Sequence, residues 1–426
     1  MEITAVRGMK DILPEEARIR DRVERIAREV LERHGFRELR TPILERTELF
    51  ARGIGEATDI VSKEMYTFAS RSGDSLTLRP EATAGVMRAY IEHNLHAAGG
   101  LQRLYTIGPM FRYERPQKGR YRQFWQVNAE VLGSDVPELD AELICALAQI
   151  IGACGVADYR LELNSLGCPE CRERFRAHLQ GYLRERLDQL CPDCRQRAET
   201  NPLRVFDCKA SGCQAALKDA PVILDYICDD CRRHFEAVQD YLGLAGVRFS
   251  VNPRIVRGLD YYRRTTFELS SERLGAQSAF AGGGRYDGLV KQLGGPDVPG
   301  IGFAIGLDRL LLLLPEDNHE PRPAYLATLG DEARRAGFVL AESLRARGIR
   351  LEWDPAAKSL KAQMRQADKA RARVALILGA DELARGRVVL RDMDTKEQHE
   401  AALEAEVLAG ELAARLQETE DKGKKS

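Results

Sequence analysis

The 426-residue chain has no apolar run long enough to cross a bilayer. Its purely apolar stretches, such as residues 143–148 and 310–314, fall far short of the roughly 20 residues a spanning helix needs. Nor does the opening segment Met1-Glu2-Ile3-Thr4-Ala5-Val6-Arg7-Gly8 carry the apolar core of a signal sequence, so a cytoplasmic location with no membrane partner is expected. Net charge is lacking too: Lys plus Arg total 64 against 65 Asp plus Glu, which leaves -1 at pH 7. No global field draws the chain to nucleic acid, and any such contact must come from a local basic patch. Ten cysteines without an export signal argue against a disulfide framework and for reduced thiols or metal thiolates.

What is present suits a soluble protein, 44% hydrophobic and 30% charged, long enough for two or three domains. Residues 17–34 repeat apolar positions (Ile19, Val23, Ile26, Val30, Leu31) at helical spacing, and Gly35 stops the pattern. Residues 36–50 read as a strand, which Pro42 confines to an edge or an irregular interface. Two strand-like runs within residues 101–133 flank the polar turn Arg115-Pro116-Gln117-Lys118-Gly119-Arg120, a hairpin signal. In the second run Trp125, Val127, Ala129 and Val131 alternate with Gln126, Asn128 and Glu130, so one face is core and the other lines something polar. Residues 164–245 read as a Cys-rich helical insertion into a sheet domain, which resumes through Phe267-Glu268-Leu269 to a Gly-rich turn. After a Pro-bearing linker at 315–323, apolar runs at 325–329, 349–353, 374–378 and 388–390 alternate with helical patterns, as in a small βα domain with a mainly parallel sheet. The predicted domains are residues 1–163 with 246–316, the insertion 164–245, a last unit 323–417 and a charged, disordered tail 418–426.

Several segments concentrate polar chemistry. In Arg257-Gly258-Leu259-Asp260-Tyr261-Tyr262 a fixed cation able to grip a carboxylate or phosphate precedes two flat, hydroxyl-tipped walls. Gly282-Gly283-Gly284-Arg285-Tyr286-Asp287-Gly288 follows, with glycines that let backbone approach a ligand closely. In Phe111-Arg112-Tyr113-Glu114, a guanidinium on a rigid strand can hold a phosphate bidentately while charge builds up on it; on spacing alone, a hairpin with surface arginines fits equally. Gly300-Ile301-Gly302-Phe303-Ala304-Ile305-Gly306-Leu307-Asp308-Arg309 reads as a glycine-spaced strand entering a helix. It is neither a Walker loop nor a dinucleotide fingerprint. Glu81, in Thr77-Leu78-Arg79-Pro80-Glu81-Ala82-Thr83, sits at a helix start, where a carboxylate either accepts from a ligand ammonium, with Thr83 and Gln126, or caps the helix. Lys358, Lys361, Arg365, Lys369, Arg371 and Arg373 face one acid, Asp368, and form a local basic run.

Eight of the cysteines form Cys168-x2-Cys171, Cys191-x2-Cys194, Cys208-x4-Cys213 and Cys228-x2-Cys231, enough thiolates for two tetrahedral Zn²⁺ sites. Iron–sulfur ligation and redox thiols are the alternatives. We expect a nested pairing, Cys168, Cys171, Cys228 and Cys231 in one site and Cys191, Cys194, Cys208 and Cys213 in the other, because a short connection joins Cys194 to Cys208. Such closed sites would be structural, with no coordination position open to a substrate.

Taken together, these segments resemble the histidyl-tRNA synthetases, a family of class II aminoacyl-tRNA synthetases, over nearly the whole chain. The resemblance implies an α/β (α+β) fold: a class II antiparallel-sheet catalytic domain, the helical insertion, and a C-terminal α/β anticodon-binding domain. It implies ATP-dependent ligation of L-histidine to tRNA(His) through a histidyl-adenylate, with Mg²⁺ accompanying ATP. Segments 111–124 and 300–309 match its motifs 2 and 3, which assigns ATP to Arg112, Glu114, Phe124 and Arg309. Histidine falls to Glu81, Thr83 and Gln126 at its α-amino end, to Glu130, Tyr262, Tyr261 and Tyr286 at its imidazole end, and to Arg257 beside its carboxylate. Arg257, with Arg112 and Arg309, is the implied catalytic cation, standing where other class II enzymes use a divalent metal. Arg115 and Gln117 are implied tRNA acceptor-stem contacts, the basic run an anticodon contact, and the helix and strand of residues 17–50 a homodimer interface. Most of the cysteines are a departure from the usual family member, and with the insertion implied to clamp the tRNA acceptor stem, metal loss is expected to harm tRNA charging more than adenylate formation. Silent paralogues that regulate ATP phosphoribosyltransferase are expected to lack the last unit and one or more phosphate arginines, all of which this chain has.

Overall fold

The computed structural model describes residues 3–55, 58, 60–256, 261–275, 278–315, 322–356 and 359–422. Arg257, Lys358 and most of the linker therefore lie outside the described residues. The chain divides into two compact units, Met1–Pro315 and Glu316–Ser426.

In the first unit the strands are β1 (Arg37–Glu38), β2 (Leu44–Arg46), β3 (Tyr66–Ala69), β4 (Ser75–Leu78), β5 (Gln102–Phe111), β6 (Gln123–Leu132), β7 (Arg160–Ser165), β8 (Ser250–Val251), β9 (Arg263–Ser270), β10 (Ala279–Arg285) and β11 (Gly300–Gly306). Among the described residues they make an eight-stranded sheet in the order β1-β5-β6-β11-β10-β9-β7-β8 and a small sheet β2-β4-β3. The central pairs are antiparallel; only the edge pairs β1/β5 and β7/β8 run parallel.

The first helix, Pro14–Arg33, starts with proline and two acids, which suits a helix N-terminus, and buries Val23, Ala27, Val30 and Leu31. Gly35, at φ +78°, provides the left-handed residue that ends it. The segment 36–50 is not one strand: it splits into β1, β2 and the start of a helix, Thr47–Ile54. Pro42 cannot donate to a ladder, so the chain leaves the large sheet there and joins the small one.

The β5–β6 hairpin forms as predicted, paired from Gln102↔Leu132 to Phe111↔Gln123. Val127, Ala129 and Val131 point into the main core, with Phe267, Leu269, Ile301 and Phe303 from neighbouring strands. The run Gly282-Gly283-Gly284 is strand, not the expected turn. It is glycine because β9 and β11 press on it: a Cβ at Gly283 would overlap the Gly302 carbonyl oxygen, and one at Gly284 would lie 2.6 Å from the Thr265 oxygen.

The insertion has a core of its own, centred on Cys171, Phe175, Leu179, Cys194, Cys213 and Cys231. Its last helix, Asp229–Leu244, serves both cores: Cys231 lies in the insertion's, whereas Phe235, Val238 and Leu242 lie in the main one.

The second unit is a five-stranded sheet of β12 (Ala324–Thr328), β13 (Leu351–Trp353), β14 (Val374–Leu378), β15 (Arg387–Asp392) and β16 (Gln398–Ala402), in the order β13-β12-β14-β15-β16. β13, β12 and β14 are parallel, and the last two strands add antiparallel pairs. The final helix runs Ala405–Lys422, so residues 418–422 are helical and not a disordered tail. Gln417, Glu418, Glu420 and Lys422 are good helix formers, and no glycine lies between Gly410 and Gly423. No helix among the described residues is long and apolar enough to cross a membrane.

Candidate active site and thiolate clusters

The polar face of the large sheet floors a cleft of about 360 Å³, a volume suited to small ligands. The alternation read from β6 puts Gln126, Asn128 and Glu130 in its lining. β11 lies beside β6 with Gly302 opposite Glu130, and a Cβ at residue 302 would overlap the Glu130 carboxylate. Glycine there is what lets a glutamate side chain cross the floor.

One end of the cleft is acidic and walled by tyrosine. Glu130 is 1% exposed and accepts from the Thr83 hydroxyl at 2.8 Å and the Tyr286 hydroxyl at 2.5 Å. Burial pushes its carboxyl up to about 8; the two hydroxyls oppose that rise and the nearby Glu81 adds to it. Glu81 is also raised by burial, although the Thr83 and Ala84 N–H groups donate to it at 2.7 and 2.9 Å. The capping role foreseen for Glu81 is therefore occupied, and it faces the cleft as well. The Tyr261 ring lies 4.7 Å from that of Tyr262 and 5.8 Å, edge-on, from that of Tyr286. Gln126 Oε1 and Asn128 Nδ2 are buried and make no hydrogen bond among the described residues. Two buried carboxyls that repel each other, beside an unmatched amide oxygen, form a receptor for a small cation.

The other end is basic. Arg112, Arg120 and Arg309 line it, together with Glu114, Phe124 and Glu268. Burial lowers the basicity of Arg309, and the neighbouring Arg120 and Arg112 lower it further. Three guanidiniums crowded this closely favour a polyanion among them. Arg112 is held by Nε donating to the Pro80 carbonyl at 2.8 Å, and it lies 5.3 Å from the Phe124 ring. Arg309 donates to the Ala279 carbonyl at 2.6 Å and the Gly119 carbonyl at 3.2 Å, which ties the helix Leu307–Leu310 to the hairpin turn. Glu114 pairs with Arg120. Asp308, next to Arg309, accepts from the Trp125 N–H at 3.0 Å and from Arg20 of the first helix.

Arg120, Asn128 and Glu268 line the cleft but were not singled out as site residues. For Asn128 and Glu268 the signal was present, since each alternates with core residues on its strand. Arg115 and Gln117 are exposed at the hairpin tip and do not line the cleft. Arg257 lies outside the described residues. On the helix Leu360–Lys369 the side chains of Lys361, Arg365 and Lys369 are exposed, whereas Arg373 is taken by Asp392 at 2.5 Å.

The eight cysteines gather into the two predicted groups. Within each, all four sulfurs lie within 4.8 Å of one another. A tetrahedral zinc with Zn–S bonds of about 2.3 Å needs sulfurs about 3.8 Å apart, so the groups can close on such an ion. In each group one thiol is acidified to about 7. For Cys171, burial opposes this but the Cys228 N–H and Cys168 outweigh it; for Cys191 the leading cause is the Cys194 N–H.

A family model described as histidyl-tRNA synthetase matches residues 8–310, and one described as an anticodon binding domain matches residues 324–417. The histidine--tRNA ligase of Trichlorobacter lovleyi is 52% identical over 97% of this chain and 99% of its own length. That of Pelobacter propionicus is 54% identical, over 97% and 100%. Among solved structures, the apo histidyl-tRNA synthetase of S. aureus superposes with a TM-score of 0.80 at 34% identity, covering 96% of this chain and 100% of that one.

Proposed function

The chain belongs to the histidyl-tRNA synthetase family, and from that premise and the two-ended cleft we propose how it charges tRNA(His) with histidine. It is an ATP-dependent histidine–tRNA ligase with a C-terminal anticodon-binding domain, and the family uses ATP with Mg²⁺. The observation that carries the reading is a single cleft acidic at one end and arginine-lined at the other. An amino acid can lie with its cationic groups at the acidic end and its carboxylate directed toward a phosphate at the basic end.

In this reading Glu81, Thr83 and Gln126 hold the α-ammonium. Glu130 and Tyr262 take the two imidazole nitrogens, with Tyr261 and Tyr286 as walls. A substrate lacking either nitrogen would leave a buried polar group unpaired, which discriminates more strongly than a missing methylene. Arg112 holds the α-phosphate, Glu114 and Phe124 the adenine, and Arg309 the phosphate tail. A histidine carboxylate oxygen attacks the α-phosphorus, the bond to the bridging oxygen breaks, and pyrophosphate leaves. Arg112 and Arg257 stabilise the negative charge that develops on the oxygens of that phosphate. The terminal ribose hydroxyl of the tRNA then attacks the adenylate carbonyl and releases AMP.

Arg115 and Gln117, exposed at the hairpin tip, suit contacts to the acceptor stem of the tRNA. Lys361, Arg365 and Lys369 suit anticodon-arm phosphates. We place the enzyme in the cytoplasm as a homodimer; exposed Ile43, Leu44 and Phe68, on and beside the small sheet, support an interface there. The two thiolate groups would hold structural Zn²⁺, with all four positions filled and none open to substrate. Labelled histidine, ATP, Mg²⁺ and tRNA(His) test the reading: histidyl-tRNA should form with AMP and pyrophosphate as products, and charging with a different amino acid would overturn it.

A further inference from the structure

The insertion meets the catalytic domain at a neck where one thiolate group sits between two sets of contacts to the histidine end of the cleft. Before the first cysteine, the Leu166 N–H donates to the Arg264 carbonyl at 2.7 Å, and the Arg264 N–H donates to the Gly167 carbonyl at 2.9 Å. Just after the second, Arg172 Nη1 donates to the Tyr262 carbonyl at 2.9 Å. Cys168 and Cys171 lie between these anchors. Arg264 has φ +47°, a left-handed conformation costly for a residue with a side chain, so the backbone two residues past Tyr262 is strained and needs outside support.

The other two thiols of the group, Cys228 and Cys231, come from the cap and first turn of Asp229–Leu244, the helix whose later turns are fixed in the main core. The Cys228 N–H donates to Cys171 Sγ at 3.0 Å, which already joins the two halves of the group. A metal closing this group would bolt residues 168–172 to that helix, and through Arg172 and Gly167 would fix the backbone that carries Tyr262. The second group, Cys191, Cys194, Cys208 and Cys213, meets the cleft by a different route: Asp207, beside Cys208, is part of the cleft lining.

We propose that Arg172 is a positioning residue for histidine recognition and that the neck metal site holds it in place, so that this site tunes histidine affinity. The proposal rests on the reading of Tyr262 as an imidazole partner and on zinc as the occupant. It gives the neck site a route of its own to amino-acid binding, through the backbone of Tyr262.

Full-length variants test it through pyrophosphate exchange, histidine calorimetry and zinc content. Arg172→Ala should raise the KM for histidine about ten-fold while kcat and the KM for ATP move less than about two-fold, with two zinc equivalents retained and part of the affinity restored by Arg172→Lys. Cys171→Ser should lose one zinc and weaken histidine binding to a similar degree. Cys194→Ser should lose one zinc and raise the KM for histidine less than Cys171→Ser does. An unchanged histidine KM in Arg172→Ala, or equal rises in the KM for histidine and for ATP, overturns the positioning role. Wild-type protein without zinc overturns the metal half. A wild-type enzyme inactive with histidine would instead sink the ligase reading itself, so the failures are distinguishable.

Discussion

Replacing Glu130 by glutamine keeps the shape of the residue at the floor of the cleft and removes its charge. Burial pushes the carboxyl of the folded chain up to about 8, whereas an unfolded glutamate titrates near about 4.3. Between those values the folded chain holds a proton that the unfolded chain has released. The contribution of Glu130 to stability is therefore full below about 4.3 and is lost as pH rises toward 8, at up to about 1.4 kcal/mol per pH unit. From pH 5.5 to 7.5 that amounts to about 2–3 kcal/mol. Glu130→Gln has no such proton, and its amide can still accept from Tyr286 and donate to Thr83. Urea unfolding at the two pH values should show the variant losing less stability than wild type across the interval. Histidine binding should move the other way, because the bond from the imidazole N–H loses its charged acceptor. That costs about 1.5–3 kcal/mol, or about ten- to a hundred-fold in the KM for histidine, with the KM for ATP little changed. Parallel pH dependence in variant and wild type, or an unaltered histidine KM, would refute the reasoning.

Arg112→Ala should cut the rate of pyrophosphate exchange by about 10²–10³ with little change in histidine affinity, measured by calorimetry on the same protein. Arg257→Ala should likewise abolish adenylate formation while sparing much of the histidine affinity; near-normal exchange would remove Arg257 from the catalytic set. Arg115→Ala and Gln117→Ala should slow tRNA charging and leave exchange nearly intact, and equal losses in both assays would mean that the turn supports the ATP site instead. Gly302→Ala should both destabilise the fold, by about 1–3 kcal/mol in denaturant titration, and abolish histidine binding, because the new methyl group displaces the Glu130 carboxylate.

Much of the site could be read from local pattern. The alternation along β6 and the turn at 115–120 are properties of a few consecutive residues, and the structure reproduces both. The grouping of the cysteines was also legible, because chain connectivity leaves few ways to nest four close pairs. What failed to show was what distant neighbours impose. Gly282, Gly283 and Gly284 look like a turn until β9 and β11 are known to press on them. Arg120 looks like one more turn residue until Arg112 and Arg309 are seen to share its end of the cleft. The bond from Arg172 to Tyr262 joins residues 90 positions apart, and no spacing announces it.

The central claim is that the cleft activates histidine. ATP–pyrophosphate exchange with the purified full-length chain, run with each of the twenty amino acids in turn and without tRNA, tests it most directly. The account predicts exchange with histidine alone. No exchange with histidine, or equal exchange with an amino acid lacking the second ring nitrogen, would contradict it.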